Sequence, residues 1–392
     1  MTEKRLFSNR VGQIPPSAIH AMTALSKTVP DVAFLSWAKP TSSAPAHIHE
    51  AAAAAIAEGR ADGYSETRGL GPLREEIARK LRQENGIDAS PAQILVTVGA
   101  IEGISAALMA AIDPGDEVIL PSPTYSTHIN QVLLASGRPV FAPTVEREGF
   151  RLDLDALHEV VSPKTRAILY CSPANPTGAV FGRQALSELA RIALEHDLIV
   201  ITDEAYEYFT FDGAEHFAIA SIPEMRDHAI SCFTFTKNYA MTGWRVGYVH
   251  ASESWIAQLG KPHIAFAICA PVVSQYAALA ALQGPQDCIQ AFRAKYLSAR
   301  DRMCARLDRL GSVFSYQRPR GSYLMFPRIL LEEGRDSKAF CEQLLLRARV
   351  STTPGCDFGP TAEGHLRLSF CVPEEMIDTA FDRMERYFGA GG

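Results

Sequence analysis

A lysine follows an apolar strand candidate in Phe233-Thr234-Phe235-Thr236-Lys237, and Arg245 stands eight residues further on, within Gly243-Trp244-Arg245-Val246-Gly247. Desolvation and a neighbouring cation both disfavour an ammonium, so a lysine in such a setting has a lowered pKa. It becomes a nucleophile for a carbonyl and afterwards a carrier of protons. Arg245 offers a bidentate grip on phosphate, with the Thr234 and Thr236 hydroxyls as further donors. Taken alone, Thr236-Lys237 reads better as a surface lysine at a strand end.

Two other segments change that weighting. Ser172-Pro173-Ala174-Asn175-Pro176-Thr177-Gly178 follows a strand candidate ending at Cys171, and Asp203-Glu204-Ala205-Tyr206 closes the apolar run Ile199-Val200-Ile201-Thr202. Both sit where open parallel sheets bind ligands, beyond the carboxyl ends of the strands. Asn-Pro-Thr-Gly suits a simple turn. That account gives no reason for three such segments to be related.

The elements that must position these residues alternate from residue 94 onward. Strand candidates at Ile94–Val98, Glu117–Leu120, Pro139–Ala142, Ala167–Cys171 and Ile199–Thr202 are separated by amphipathic stretches at Glu102–Ile112, Ser126–Ala135, Asp153–Val161 and Arg183–Glu195. Parallel neighbours need a crossover, so this order predicts an α/β fold with a mainly parallel sheet covered on both faces. After strands at Ile230–Thr236 and Arg245–His250, long helical patterns end with Cys288–Leu310. Strands at Val313–Tyr316, Tyr323–Phe326 and Leu366–Phe370 then mix with helices near Ser337–Ala348 and from Glu374. A large domain at 45–285 is therefore expected, with a smaller α+β domain built from 286–392 and joined by the N-terminal segment 1–44.

Composition narrows the function classes. The 392 residues exceed the roughly 250–300 at which one core stops growing. A hydrophobic share of 47% allows a large core, and a net charge of −6 with no dense Lys or Arg run excludes the footprint of a nucleic-acid binder. Eight cysteines without a Cys-x-x-Cys pair argue against a zinc ribbon, a redox dithiol or a disulfide framework, and point to a reducing, cytoplasmic setting. Met1 to Ser17 lacks the apolar core of a secretory signal, so no export is expected. Ile264 to Leu282 carries Pro271, Ser274 and Gln275, and is expected to be a buried segment of a soluble protein rather than a membrane span. A dinucleotide-binding Gly-x-Gly-x-x-Gly, a Walker motif, His-Glu-x-x-His and Gly-x-Ser-x-Gly are all missing, and no histidine spacing suggests a metal.

Taken together, Asn175-Pro-Thr-Gly, Asp203-Glu-Ala-Tyr206 and Thr-x-Thr-Lys237 with Arg245 resemble the class I/II aminotransferases of pyridoxal-phosphate fold type I, of the aspartate/aromatic kind. The resemblance runs from about Phe34 to Phe370. It implies pyridoxal 5'-phosphate as cofactor and Lys237 as the lysine that joins the cofactor's aldehyde. Asp203 would face the pyridine nitrogen, Asn175 and Tyr206 the ring oxygen, and Tyr125 would stack on the ring. Gly99-Ala100-Ile101 matches the strand–turn–helix phosphate cup, where helix-start N–H groups carry about half a positive charge. Ile101 stands where a polar residue is common, so contact there would be through backbone. Arg367, in Leu366-Arg367-Leu368, matches the arginine for the substrate α-carboxylate, with Asn175 beside it. Tyr64 matches a tyrosine reaching the phosphate of a neighbouring subunit, which implies a homodimer.

The segment Leu35-Ser36-Trp37-Ala38-Lys39-Pro40 departs from the family, which usually has glycine at Ala38 and often an acid or amide at Lys39. Both positions approach the substrate. The expected reaction is transamination of an L-amino acid, aromatic, neutral or broad in range, with an acceptor such as 2-oxoglutarate. His263 to Cys269 holds no arginine for a distal carboxylate, although Lys39 or Arg10 could serve one. The alternative is a lyase, cyclase or oxygen-using enzyme of the same fold and cofactor; a regulatory protein that retains the fold fits less well, because the catalytic set is complete.

Overall fold

Ile168, Leu169, Val200 and Ile201 have no exposed surface at all, because their strands are covered on both faces. Side chains alternate across a strand, and successive residues divide between two cores accordingly. Ile119, Ile168 and Val200 pack under the helix Arg183–Glu195, through Leu186, Leu189, Ala190 and Ala193. Leu120, Leu169 and Ile201 face the helix Gly99–Ala111, through Ile104, Ala107 and Leu108.

The computed structural model describes residues 7–389. Among these the main sheet has eight strands, in the order Ile94–Thr97, Gly247–His250, Ala229–Thr234, Ile199–Asp203, Thr165–Cys171, Glu117–Ser122, Arg138–Val145, Arg151–Leu152. The middle five pair in parallel, and Gly247–His250 runs antiparallel to both neighbours. Register then fixes the site: Cys171 stands opposite Asp203, and Asp203 opposite Cys232. The segment after Cys171, the Asp203 carboxylate and Thr234 are thereby brought to one edge.

Two local expectations are corrected. The strand expected over Ile230–Thr236 stops at Thr234, whose hydroxyl accepts the Thr236 N–H at 3.1 Å and caps a helical turn, Phe235–Asn238. Lys237 therefore projects from a helical turn and not from a strand end. The segment Ile264–Leu282 is not buried throughout. It is divided between Glu253–Ala267 and Val272–Gln283 by Ile268 at φ 64° and Pro271. Ala277, Ala278 and Ala281 are buried, whereas Ile264, Phe266 and Ile268 are exposed. No helix among the described residues is long and apolar enough to cross a membrane.

Both ends of the chain share a further core. Ala33–Phe34 pairs in parallel with Val350–Ser351, and the Ser369 N–H donates to the Leu35 carbonyl at 2.7 Å. Leu35 packs with Phe340, Leu345, Val350, Ile377 and Phe381, and the same cluster reaches Tyr206 and Phe209 from the sheet edge. Ser36 to Lys39 are thus held over the carboxyl ends of the strands.

The loop beyond Asp203 is anchored by a buried ion pair, Lys80 Nζ to Glu207 Oε2 at 2.5 Å, with both side chains at most 5% exposed. Asn85 donates to the same carboxylate oxygen at 2.8 Å. Removing the cation alone would strand a buried charge, which is the costly way to break such a pair. Lys80→Met is expected to cost about 3 kcal/mol in urea unfolding. A loss below about 1 kcal/mol would show that Asn85 and water suffice for Glu207.

Candidate active site

At the carboxyl edge lies a cavity of about 540 Å³, walled by Asn175, Asp203, Tyr206, Lys237, Arg245 and Arg367 among others. Thirteen of the fifteen residues expected from the sequence line it; the remaining two are Gly99 and Tyr64. Gly99 borders it from behind: its φ is +78°, and a Cβ there would stand 2.8 Å from Arg245 Nη2. Tyr64 is 80% exposed and stands apart from the cavity.

Asp203 is the sole carboxylate in the wall and is held from two sides. The Ala205 N–H donates to its Oδ1 at 3.1 Å, and His128 Nε2 lies 3.1 Å from its Oδ2. The His128 ring meets Tyr125 edge-on, with centroids 5.4 Å apart. An acid so constrained presents its remaining acceptor capacity in a fixed direction.

Positive charge is less well matched. Arg367 is 3% exposed, and its Nη atoms donate to Asn175 Oδ1 at 3.2 Å and to the Ser36 carbonyl at 2.9 Å. Its Nε has no hydrogen-bond partner, and no carboxylate pairs with it among the described residues. Burial lowers its pKa from the usual arginine value. Among the described residues Arg245, at φ 51°, donates only to the Thr242 and Val98 carbonyls, at 3.2 and 3.5 Å. Two guanidiniums without an acid partner leave room for anions from outside the chain.

Lys237 Nζ donates to the Ala38 carbonyl at 2.9 Å, and the Tyr323 hydroxyl donates to the same oxygen at 3.1 Å. Burial is the main force on the Lys237 amine and takes its pKa from 10.5 to about 8, with Arg367 and Arg245 acting in the same direction and Asp203 against it. The neighbouring thiol of Cys371 is pushed up to about 11 by burial, so it is uncharged where Lys237 titrates. Tyr206 is raised well above its ordinary value by burial and keeps its proton. The Thr234 hydroxyl donates to Thr236 Oγ1 at 2.7 Å, leaving Thr236 as the outward donor of the pair. Ala100 and Ile101 open the helix Gly99–Ala111, whose first N–H groups have no partner within the helix.

The model of the family aminotransferase class I and II matches residues 35–384. The chain belongs to this family. An aromatic-amino-acid aminotransferase 2 of Thermococcus litoralis is 37% identical over 383 residues, 97% of either chain. An aspartate aminotransferase of Pyrococcus abyssi is 38% identical over 384 residues, again 97% of either chain. The solved aspartate aminotransferase of Thermus thermophilus with maleate superposes with a TM-score of 0.90 at 34% identity, covering 97% of this chain and 99% of that one. The enzyme is an aminotransferase of the pyridoxal-phosphate-dependent family, with the fold-type I α/β architecture.

The matched range of the aminotransferase begins and ends at Leu35 and Met384, both buried in the core that joins the chain termini. Sequence reasoning missed His128, Tyr323, Ser36, Trp37 and Ile19 in and around the cavity. His128 lies three residues after Tyr125, one helical turn along, and that spacing was its only signal. Ser36 contributes a carbonyl and Ile19 an apolar wall, neither of which leaves a mark in residue type.

A depressed lysine pKa has a kinetic signature. Trapping of Lys237 in the cofactor-free enzyme by a small aldehyde and borohydride should rise with pH to a plateau above about 8. Peptide mapping that follows Lys237 alongside the exposed lysines checks it, against the ordinary lysine range near 10.4. Equal midpoints would refute a buried, readily deprotonated amine.

Proposed function

We propose that this cavity holds pyridoxal 5'-phosphate and carries out amino transfer through Lys237, Asp203 and Tyr206. The supporting observation is a charge pattern: one buried amine, one braced carboxylate and two guanidiniums that pair with no acid among the described residues converge on a single cavity. A phosphate and a carboxylate would satisfy both guanidiniums, so the residues fit the cofactor and an amino acid together. Arg245, Thr234, Thr236 and the helix start at Gly99, Ala100 and Ile101 would hold the phosphate. Tyr125 would lie against the ring, and Asn175 and Tyr206 would donate to the ring oxygen.

When bound, the cofactor supplies an aldehyde for the amine and a ring that accepts electrons. Asp203 favours a protonated ring nitrogen by its negative charge, and His128 with the Ala205 N–H fixes its direction. Arg367 grips the substrate α-carboxylate and sets the orientation of Cα. Lys237 Nζ then takes the proton from Cα; with its pKa near 8, it can do so close to neutral pH. The family and the aminotransferase names of its relatives favour transamination over elimination in this cavity.

For substrates, the reading is an aromatic, neutral or broad range of L-amino acids, with 2-oxoglutarate as acceptor. Trp37 offers an aromatic surface at the mouth, 44% exposed, and Lys39 a cation that pairs with no acid among the described residues. Relatives that carry aromatic and aspartate names, and one solved with the dicarboxylate maleate, are consistent with both kinds of side chain entering. We further propose a cytoplasmic homodimer in which exposed Tyr64 reaches the neighbouring subunit's phosphate. Residues 45–285 would form the cofactor domain, and 286–392 with 1–44 the smaller one.

Lys237→Ala should lower kcat about a thousandfold or more while leaving the protein folded. Retention of turnover would remove Lys237 from the reaction. Lys39→Ala should reduce kcat/KM for aspartate and glutamate by about three- to tenfold, a modest loss expected of an exposed cation. Phenylalanine should change by less than about twofold. Unchanged use of the acidic donors would exclude Lys39 from selectivity.

A further inference from the structure

No histidine spacing in the sequence suggests a metal, yet folding brings two histidines together outside the cavity. His158 lies on the helix Leu154–Glu159, and His196 directly follows the helix Arg183–Glu195. Their Nε2 atoms are 3.2 Å apart across 38 residues of chain, with ring centroids at 5.2 Å and planes at 50°. Glu195 adds a carboxylate, and the three ligand atoms lie within 4.8 Å of one another. All three side chains are exposed, and none lines the active-site cavity.

We infer that His158, Glu195 and His196 form a binding site for a divalent transition metal, of which zinc is the representative. Two nitrogens bound at 2.0–2.1 Å to a tetrahedral zinc stand about 3.3 Å apart, so the imidazoles are already at chelating separation. As a simple hydrogen bond the same pair uses one lone pair; as ligands both lone pairs are used. Glu195 must move little, and its present partner can release it: Arg191 bonds Glu195 at 2.8 Å but also Glu188 at 2.7 Å. Two imidazoles and one carboxylate suit zinc, nickel or copper and not magnesium or calcium, which take oxygen donors. The open fourth position is left to water, and the ion enters directly from solvent.

The site has a structural consequence. The two helices are the crossovers that precede the strands Thr165–Cys171 and Ile199–Asp203, which present the Asn175 segment and Asp203 at the sheet edge. A metal bridging them staples neighbouring crossovers on the outer face, and it stabilises the folded state because an unfolded chain does not hold the ligands together.

Calorimetric titration of the holoenzyme with zinc chloride, together with thermal melts in zinc or magnesium, tests the assignment. Expected are one zinc per chain and a melting temperature that rises with zinc and not with magnesium. His158→Ala and His196→Ala should each weaken zinc by more than about tenfold, the loss produced even by partners of metal ligands. Both variants should retain their metal-free melting temperature and amino-transfer rate. Absence of a zinc-dependent shift, or equal zinc binding by the H158A/H196A double variant, would overturn the proposal.

Discussion

Arg367 sets the terms for everything around it. A guanidinium with almost no exposed surface needs partners, and the chain supplies its Nη atoms without an acid, from the Ser36 carbonyl, the Asn175 amide oxygen and the Thr353 hydroxyl, with the face of Phe358 at 5.2 Å, while Nε is left without a hydrogen-bond partner. These partners come from the N-terminal segment, from the loop after Cys171 and from the C-terminal part of the chain. The cavity can therefore exist only when distant stretches meet, and the parallel strand pair Ala33–Phe34 with Val350–Ser351 is what brings the chain ends to it.

On the opposite wall the sheet does the positioning. Parallel register aligns Cys171, Asp203 and Cys232, so the segments that follow emerge side by side. Strand termination matters as much as strand formation. The Thr234 cap turns the backbone into Phe235–Asn238 one residue after the sheet ends, which aims Lys237 into the cavity. The side that carries Arg245 rests on another local device, the left-handed Gly99, which lets Arg245 lie against the helix start.

Much of this was legible in the sequence because parallel strands buried on both faces give unbroken apolar runs, such as Ile199 to Ile201, and their ends carry the chemistry. The periodic apolar face of the helix Arg183–Glu195 predicts its limits. β-branched and aromatic residues favour strands and place Thr234 mid-strand, but a single hydroxyl cap outweighs that preference locally. His128 was hidden because its meaning lies in Asp203, 75 residues away. Hydropathy alone predicts burial for the exposed Ile264 and Phe266, because it does not report which side of a helix faces outward.

The Ala38 carbonyl accepts from both the Lys237 amine and the Tyr323 hydroxyl. When the amine engages anything else, that carbonyl keeps one donor of its two. Engagement of the lysine therefore removes one of the two donors that hold a backbone segment 199 residues earlier in the chain. The same segment supplies the Ser36 carbonyl to Arg367, so the partners of Lys237 and of Arg367 lie within three consecutive residues of main chain.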